Sequence, residues 1–144
     1  MRILSHDTAV DLLRSQGLSN GAEAERVLDG FDFNKPVYEQ DFWPGDVLYQ
    51  LIRNPSSSLP LPTAGNWFGL AGITTRNVAI NDGLSGRHAA KFEVLAWFRA
   101  LEGTAKELPV DLGRAIGGPG GATQVFIPSF LLGRLQSAGP VDRW

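Results

Sequence analysis

The sequence predicts an α+β fold in which short N-terminal helices pack on a small, mostly antiparallel and twisted β-sheet with long loops. Three observations predict it. The apolar residues before position 34 recur at helical spacing, and the segments after Pro36 are short and rich in strand-forming residues. Glycine and proline contribute 17 and 9 of the 144 residues, which exceeds average usage and favours long loops. A chain of this length forms one domain, so we expect a helical segment at 1–34 and a β-rich core at 35–144 of that domain.

Two short helices are predicted before residue 34. Their apolar faces consist of Ala9, Leu12 and Leu13 in the first helix and of Ala24, Val27, Leu28 and Phe31 in the second. Asp7 or Thr8 can cap the first helix, and Gly17 ends it. Asn20 begins the second helix, with Glu23 three residues later in the capping-box position. Helices this short do not bury their apolar faces alone, so we expect both to pack on the sheet.

Short strands are predicted in the rest of the chain. They are residues 46–53 after the turn at Pro44 and Gly45, a central strand at 91–98 with Phe92 and Val94 on one side, and residues 122–128. Residues 54–65 and 113–121 are rich in proline, serine or glycine and are predicted to be loops. Loops this long in a small domain are usually functional.

The composition excludes several classes of function. Cysteine is absent and there are 2 histidines, so disulfide frameworks, thiolate metal sites and all-histidine zinc sites are excluded, and we expect no bound metal. The net charge of -2 provides no field that would attract nucleic acid. The sequence has no apolar run long enough for a membrane span. Since residues 1–5 lack the apolar run of a signal peptide, we expect a cytoplasmic protein or one domain of a longer exported protein.

A polar residue in apolar surroundings is the most informative local signal. Gln124 stands in an apolar predicted strand, and a neutral amide there must be satisfied internally or face a site. Arg53 ends another predicted strand and is suited to bidentate phosphate binding. The run at 113–121 lacks the Gly-Lys-Ser/Thr of a phosphate loop and precedes a strand. Its glycines therefore form a wide turn or bring the backbone close to a ligand.

Three motifs in this order resemble the NAD glycohydrolase toxins. They are GDVLYQLIR at 45–53 with the Ser/Pro loop after it, GNWF at 65–68, and GPGGATQ at 118–124. The similar families are the tuberculosis-necrotizing-toxin-like domains and the NAD-degrading polymorphic toxins delivered by type VI secretion. The resemblance extends over residues 20–130, mostly as a pattern, and the glycine-rich run ending in glutamine is its most specific part. It implies a fold of the ADP-ribosyltransferase and NADase-toxin type.

The resemblance implies a role for each matching residue. Gln124 corresponds to the catalytic glutamine and Arg53 to the phosphate-binding arginine. Counted from Gly45, the family's arginine aligns more naturally with Gln50, so either Arg53 reaches back, or Gln50 has a polar role of its own, or a later arginine contributes. That later arginine would be Arg76 or Arg87.

The remaining substrate-binding residues implied by the resemblance lie in the two glycine-containing motifs. Trp67 or Phe68 would be the ring beside the nicotinamide, with Asn66, Gly120 and Gly121 as further substrate contacts. Nicotinamide leaves as a neutral molecule from a cationic ring, so the reaction needs no general acid. A glutamine cannot act as a base at neutral pH, and we expect it to orient the ribose hydroxyls or the attacking water.

The function implied is an NAD(P)+ glycohydrolase toxin that depletes dinucleotide in a recipient cell. NAD+ or NADP+ is then the substrate and no cofactor or metal is needed. Such a toxin is a secreted effector that acts in the recipient's cytoplasm, with a cognate immunity protein and an N-terminal delivery region or carrier. Two alternatives stay open. One is a mono-ADP-ribosyltransferase, and the other is a non-catalytic ligand-binding module that uses Trp43, Trp67 and Trp97 as platforms.

Overall fold

The computed structural model describes residues 2–18, 20–52, 66–70, 88–106 and 121–141. In chain order the elements are β1 (Arg2–Ile3), α1 (His6–Ser15), α2 (Gly21–Leu28), β2 (Tyr38–Phe42), β3 (Val47–Ile52), β4 (Trp67–Gly69), β5 (His88–Val94), β6 (Phe98–Thr104), β7 (Thr123–Phe126), a 3-10 helix (Ser129–Arg134) and β8 (Leu135–Val141). Within these ranges no helix has the length and apolar character needed to cross a membrane. The predicted loop at 54–65 and residues 113–120 of the second loop lie outside the described residues.

Both N-terminal helices form where the apolar spacing predicts them. The Asn20 side chain accepts a hydrogen bond from the Ala22 N–H at 2.9 Å, which confirms the predicted cap of α2. The cap predicted for α1 is wrong, because Ser5 accepts from the Thr8 N–H and Asp7 lies inside the first turn. Ser5 has extended backbone, as a capping residue requires. The helix therefore begins earlier than its first apolar residue indicates.

The strands form one eight-stranded sheet in the order β1-β2-β6-β7-β4-β3-β5-β8. Each of the strand pairs is antiparallel. This confirms the predicted fold class. β7 and β4 lie in the middle of the sheet and β8 at one edge, so the residues of the predicted site belong to interior strands.

The sheet is curled, because two short connections join strands that are not neighbours. β2 and β3 are separated by β6, β7 and β4, yet residues 43–46 connect them in a turn closed by the Asp46 N–H and the Trp43 carbonyl at 3.0 Å. In a flat sheet the two strands would lie about 19 Å apart, which a tight turn does not span. β5 and β6 are likewise joined by residues 95–97 alone. The two halves of the sheet therefore bend toward each other.

The curl gives the sheet two different faces, each with its own core. The concave face is the one enclosed by the curl, and its buried residues are Phe42, Leu48, Phe68, Ala90, Phe92, Val94, Phe98, Ala100, Val125, Ile127, Leu131 and Leu135. The helix-covered face packs against α1 and α2, and its buried residues are Leu4, Ala9, Leu13, Ala24, Leu28, Phe31, Val37, Leu101 and Phe126. Because side chains alternate along a strand, consecutive residues of one strand belong to the cores on opposite faces of the sheet.

The strand predicted at 91–98 is wrong, since the chain turns in the middle of it. β5 ends at Val94 and β6 begins at Phe98. Leu95 and Trp97 are exposed in the turn, although their apolar character indicates burial in a strand. β5 also lies second from the sheet edge, not at its centre. The predicted facing of Phe92 and Val94 is confirmed, because both belong to the concave core.

Three strands have no clear signal in the sequence. β2 is mostly polar, β6 alternates small and charged residues, and β8 contains glycine and proline. Each is held by pairing with a partner strand, β2 with β6 and β8 with β5. The apolar piece at 130–135 forms most of the 3-10 helix that leads into β8. Pairing in the tertiary structure outweighs weak strand propensity at these positions.

Replacing Gly103 with alanine is expected to destabilise the fold. A Cβ at this position would lie 2.8 Å from the Phe31 ring and 3.3 Å from Val37, and Phe31 is fully buried. We expect Gly103→Ala to lower the free energy of unfolding by about 1–3 kcal/mol, measured by urea denaturation. The control is Gly21→Ala at the start of α2, where a Cβ meets nothing within 4 Å. Equal stability of the two variants would contradict the assigned close packing at Gly103.

Candidate functional site

The candidate site is marked by two buried amides. Among the described residues the buried polar side chains are those of Gln50, with 4% of its surface exposed, and Gln124, with 3%. Both are residues that the sequence singles out. Arg53 and Gly120, together with the alternative arginines Arg76 and Arg87, lie outside the described residues.

Gln124 is part of a joint between the helices and the sheet. Its Nε2 donates a hydrogen bond to the Gly30 carbonyl at 2.6 Å, and the Lys106 N–H donates to the same oxygen at 3.1 Å. Gly30 follows α2, and Lys106 follows β6. The Gln124 amide therefore helps to fix the chain that leaves α2 against the middle of the sheet.

Gln50 points to the opposite face from Gln124. In the sheet register Tyr49, Gly69 and Gln124 lie side by side, and paired residues of an antiparallel sheet share a face. Gln50 is the next residue along β3 and pairs with Ala90, which belongs to the concave core. Gln50 also makes contacts of its own with other residues of the chain. The two glutamines are thus separated by the thickness of the sheet.

The adjacent aromatic residues of β4 also divide between the two faces. Phe68 is buried on the concave face, where its ring lies edge-on to Phe92 at a centroid distance of 5.6 Å. Trp67 is half-buried on the helix-covered face, with Phe31 at 5.3 Å and Phe126 at 5.1 Å. Of the two rings, only that of Trp67 keeps a partly exposed surface.

Asn66 and Gly121 form hydrogen bonds mainly with the backbone around them. The Asn66 amide donates to the Ile127 carbonyl at 2.8 Å and to the Ser129 hydroxyl at 3.1 Å. Gly121 has φ +92°, a conformation that favours glycine, and its N–H donates to the Ala105 carbonyl at 2.9 Å. The turn conformation by itself therefore accounts for a glycine at position 121.

A groove of about 330 Å³ lies on the helix-covered face beside Trp67. Its described lining is Leu18, Glu23, Arg26, Val27, Asn66, Trp67, Phe126 and Ser129. A neighbouring hollow of about 550 Å³ shares Leu18, Glu23 and Ser129 with it. Gln124 does not appear in the lining of either one.

A cleft of about 490 Å³ opens on the concave face between the two halves of the curled sheet. Its described lining is Gln40, Asp41, Phe42, Trp43, Asp46, Val47, Leu48, Leu70 and Glu102. Gln40 Nε2 donates to the Glu102 carboxylate at 3.1 Å. The sequence does not single out Glu102, because its partner is 62 residues away and only the pairing of β2 with β6 brings the two together.

A cluster of charged and aromatic side chains holds the rim of this cleft. The Asp41 carboxylate accepts from Trp97 Nε1 and from Arg99 Nε, both at 3.0 Å. The hydrogen bond from Arg99 lowers the pKa of Asp41 below its usual value. Trp43 and Trp97 lie 6.1 Å apart and are both exposed, whereas Trp67 lies elsewhere. The three tryptophans considered as platforms therefore do not form one surface.

The described residues contain no group of three or more His, Cys, Asp or Glu side chains placed to hold a metal ion.

Comparisons with known proteins show similarity at the level of the fold. No protein-family model matches the sequence, and no curated protein matches it. The chain is similar to a solved chain from the complex of Tse6 with Tsi6, with 25% identity, coverage of 95% of this chain and 93% of that chain, and a TM-score of 0.67. It is more distantly similar to a chain from the complex of Rhs1-CT with its cognate immunity protein RhsI1, at 16% identity, coverage of 79% and 84%, and a TM-score of 0.45. The first likeness covers nearly the whole fold.

Replacing Asp41 with asparagine is expected to change how stability depends on pH. Because the pKa of Asp41 is lowered in the folded protein, its contribution to stability is present above the unfolded value, about 3.9, and is lost as the pH falls through the folded value. We expect Asp41→Asn to be less stable than the wild type at pH 7, and the difference to shrink by pH 2. The measurement is the urea midpoint of each protein at the two pH values. A difference that does not depend on pH would contradict the assigned ion pair.

Proposed function

We propose that this chain is an interbacterial toxin domain that hydrolyses the nicotinamide–ribose bond of NAD+ or NADP+. The observation that supports it most is that the two buried polar side chains of the described residues, Gln50 and Gln124, are the two glutamines selected by the resemblance to NAD glycohydrolase toxins. Burying an amide in an apolar sheet is costly unless the group is paired. Apolar packing alone does not account for two such groups in interior strands of one sheet, β3 and β7, which are separated by β4.

The structural comparison supports the proposal that this chain is a toxin domain and that it has a protein partner. The chain shares its fold over 95% of its length with Tse6, which was solved as a complex with Tsi6. A complex with a second protein is what a toxin bound to its immunity protein forms. We accordingly propose a cognate immunity protein for this chain, delivery by a further N-terminal region or carrier, and action in the cytoplasm of the recipient cell.

The proposed reaction needs binding and electrostatics more than acid–base catalysis. The bond between ribose C1′ and the ring nitrogen breaks, the electron pair neutralises the cationic ring, and positive charge passes to the ribose. Water then attacks C1′ and loses its proton to solvent. Contacts with the distant phosphates can hold the ribose in a strained geometry, and an amide can orient the ribose hydroxyls or the water.

We propose the concave cleft as the place of this reaction. It lies between the two halves of the sheet, on the face whose buried side chains include those of Gln50 and Phe68, although neither of these is part of the cleft's described lining. The catalytic role that the resemblance assigns to Gln124 stays a prediction. Its amide is bonded to Gly30 on the other face, so variants of the two glutamines test different surfaces.

A ligand-binding module is the second candidate. The specific observation in its favour is the exposed pair of Trp43 and Trp97, with ring centroids 6.1 Å apart. Such a module would bind NAD+ or another ligand without consuming it. A mono-ADP-ribosyltransferase would instead transfer label from biotinylated NAD+ to protein.

Purified wild-type protein is expected to release nicotinamide and free ADP-ribose from NAD+ or NADP+, since no acceptor protein is needed. Expression in a bacterium is expected to be toxic and to lower cellular dinucleotide, measured in the same cultures. Binding without release of nicotinamide would favour the module, and labelled protein would favour the transferase.

If Gln124 has the catalytic role that the resemblance assigns to it, Gln124→Ala abolishes nicotinamide release while the fold is retained; if the reaction takes place in the concave cleft without it, Gln124→Ala keeps turnover and loses only stability. Losing the bond to Gly30 costs about 1–3 kcal/mol, which corresponds to about 3–10 °C in Tm for a domain of this size. The matched control is Gln16→Ala, which removes a similar amide bond, from Gln16 Nε2 to the Arg99 carbonyl at 2.8 Å. Unchanged turnover in Gln124→Ala, with loss of turnover in Gln50→Ala, would move the catalytic role to Gln50.

A further inference from the structure

We infer that the concave cleft is a subsite for a cationic N-alkylpyridinium ring, and that Glu102 recognises the positive charge. The inference rests on the proposed function, because the nicotinamide of NAD+ is such a ring. It adds a named carboxylate that neither the sequence motifs nor the resemblance selects.

The first argument is the charge of the cleft. Its described lining contains the carboxylates of Asp41, Asp46 and Glu102 and no lysine or arginine. Asp41 is neutralised by Arg99, and Asp46 is bonded to the backbone of its own turn. Glu102 is half-buried, and no described cation pairs with it. Among the described residues, two carboxylates of the cleft thus lack a cationic partner: Asp46, which is exposed, and Glu102, which is half-buried. Glu102 is the one in a partly desolvated place, where attraction for a cation is stronger than in water.

The second argument is how the Glu102 carboxylate is held. Gln40 Nε2 donates to one of its oxygens at 3.1 Å, and a neutral amide orients a carboxylate without neutralising it. Both side chains belong to the concave face, since Gln40 pairs with Ala100 and Glu102 with Val125. The carboxylate is thereby positioned toward the cleft before any ligand arrives.

The third argument is the shape and polarity of the surrounding wall. Phe42 and Leu48 are buried, Leu70 is partly exposed, and Trp43 stands at the rim with 57% of its surface exposed. Flat heterocycles bind in mostly apolar clefts with a few polar groups. An indole ring at the rim also attracts a cation through its π face. Apolar side chains, an indole ring at the rim and the half-buried Glu102 carboxylate match a flat cation better than an anion.

The same carboxylate suits the proposed reaction. Positive charge is on the pyridinium ring before the C–N bond breaks and on the ribose afterwards. A fixed negative group beside the bond stabilises both states relative to free NAD+, because fixed charges need no reorganisation during the reaction. No co-reactant other than water is required.

The decisive variant is Glu102→Gln, which keeps the shape and the contact with Gln40 but removes the charge. Its matched control is Glu93→Gln. Glu93 is also a half-buried strand glutamate that accepts from a cross-strand glutamine amide, Gln136 Nε2 at 3.2 Å, but it lies on the other face. We expect Glu102→Gln to lower kcat/KM for NAD+ about 100-fold and Glu93→Gln to leave it within twofold.

Competitive inhibition by NADH separates charge recognition from a general loss of structure. NADH has the same shape as NAD+ apart from its uncharged dihydronicotinamide ring. We expect its inhibition constant to change less than twofold in Glu102→Gln. Equal losses for NAD+ and NADH, or turnover of NAD+ close to that of the wild type, would overturn the role of Glu102.

A second measurement does not depend on turnover. The probes are 1-methylnicotinamide, which is cationic, and nicotinamide, which is neutral, titrated into wild-type and Glu102→Gln protein while the Trp43 indole signal is followed by NMR. We expect the wild type to prefer the cation about tenfold and Glu102→Gln to lose the preference. If the wild type does not hydrolyse NAD+ or NADP+, the proposed function fails, and this titration still decides the subsite: no preference for the cation overturns it.

Discussion

Two tight turns hold the architecture together, because each one joins strands that lie in different halves of the sheet. Gly45, with φ +95°, allows the chain to reverse between β2 and β3. Its N–H donates to the Val94 carbonyl at 3.0 Å, and the Val94 N–H donates to the Asp46 carbonyl at 2.9 Å. The turn after β2 is thus bonded to the end of β5, where the second turn begins. This coupling bends the sheet, and the bend creates both the concave core and the cleft beside it.

The second structural constraint is the carbonyl of Gly30, which joins the segment after α2 to the sheet. It accepts bonds from Gln124 and from the Lys106 N–H, and the Trp67 ring lies so close that a Cβ on Gly30 would be 3.1 Å from it. This peptide group therefore helps to fix the segment after α2 to the middle of the sheet, together with the shared core and the bond from Gln16 to the Arg99 carbonyl. Both faces keep an opening: the groove beside Trp67 on the helix-covered face and the cleft on the concave face.

Local patterns in the sequence predict the parts of this fold that depend on local interactions. Apolar spacing and the Asn20 cap predict α2, and the apolar runs predict β3 and β7. Prediction fails where pairing decides the structure: β2, β6 and β8 are weak strand formers that persist because of their neighbours. It also fails at Leu95 and Trp97, which are apolar but exposed in a turn. For the site, the pattern selects Gln50 and Gln124, but it does not show that they face opposite sides.

By itself the sequence determined the class of fold, the absence of cysteine chemistry and, at Gln124, an amide whose polarity conflicts with its surroundings. These follow from residue types and from short-range spacing along the chain. Only the tertiary structure decided which side chains share a face, because a shift of one residue in a strand moves a side chain to the other side of the sheet. It also brought Gln40 to Glu102 across 62 residues. Contacts of that kind arise from register and curvature, which no local pattern encodes.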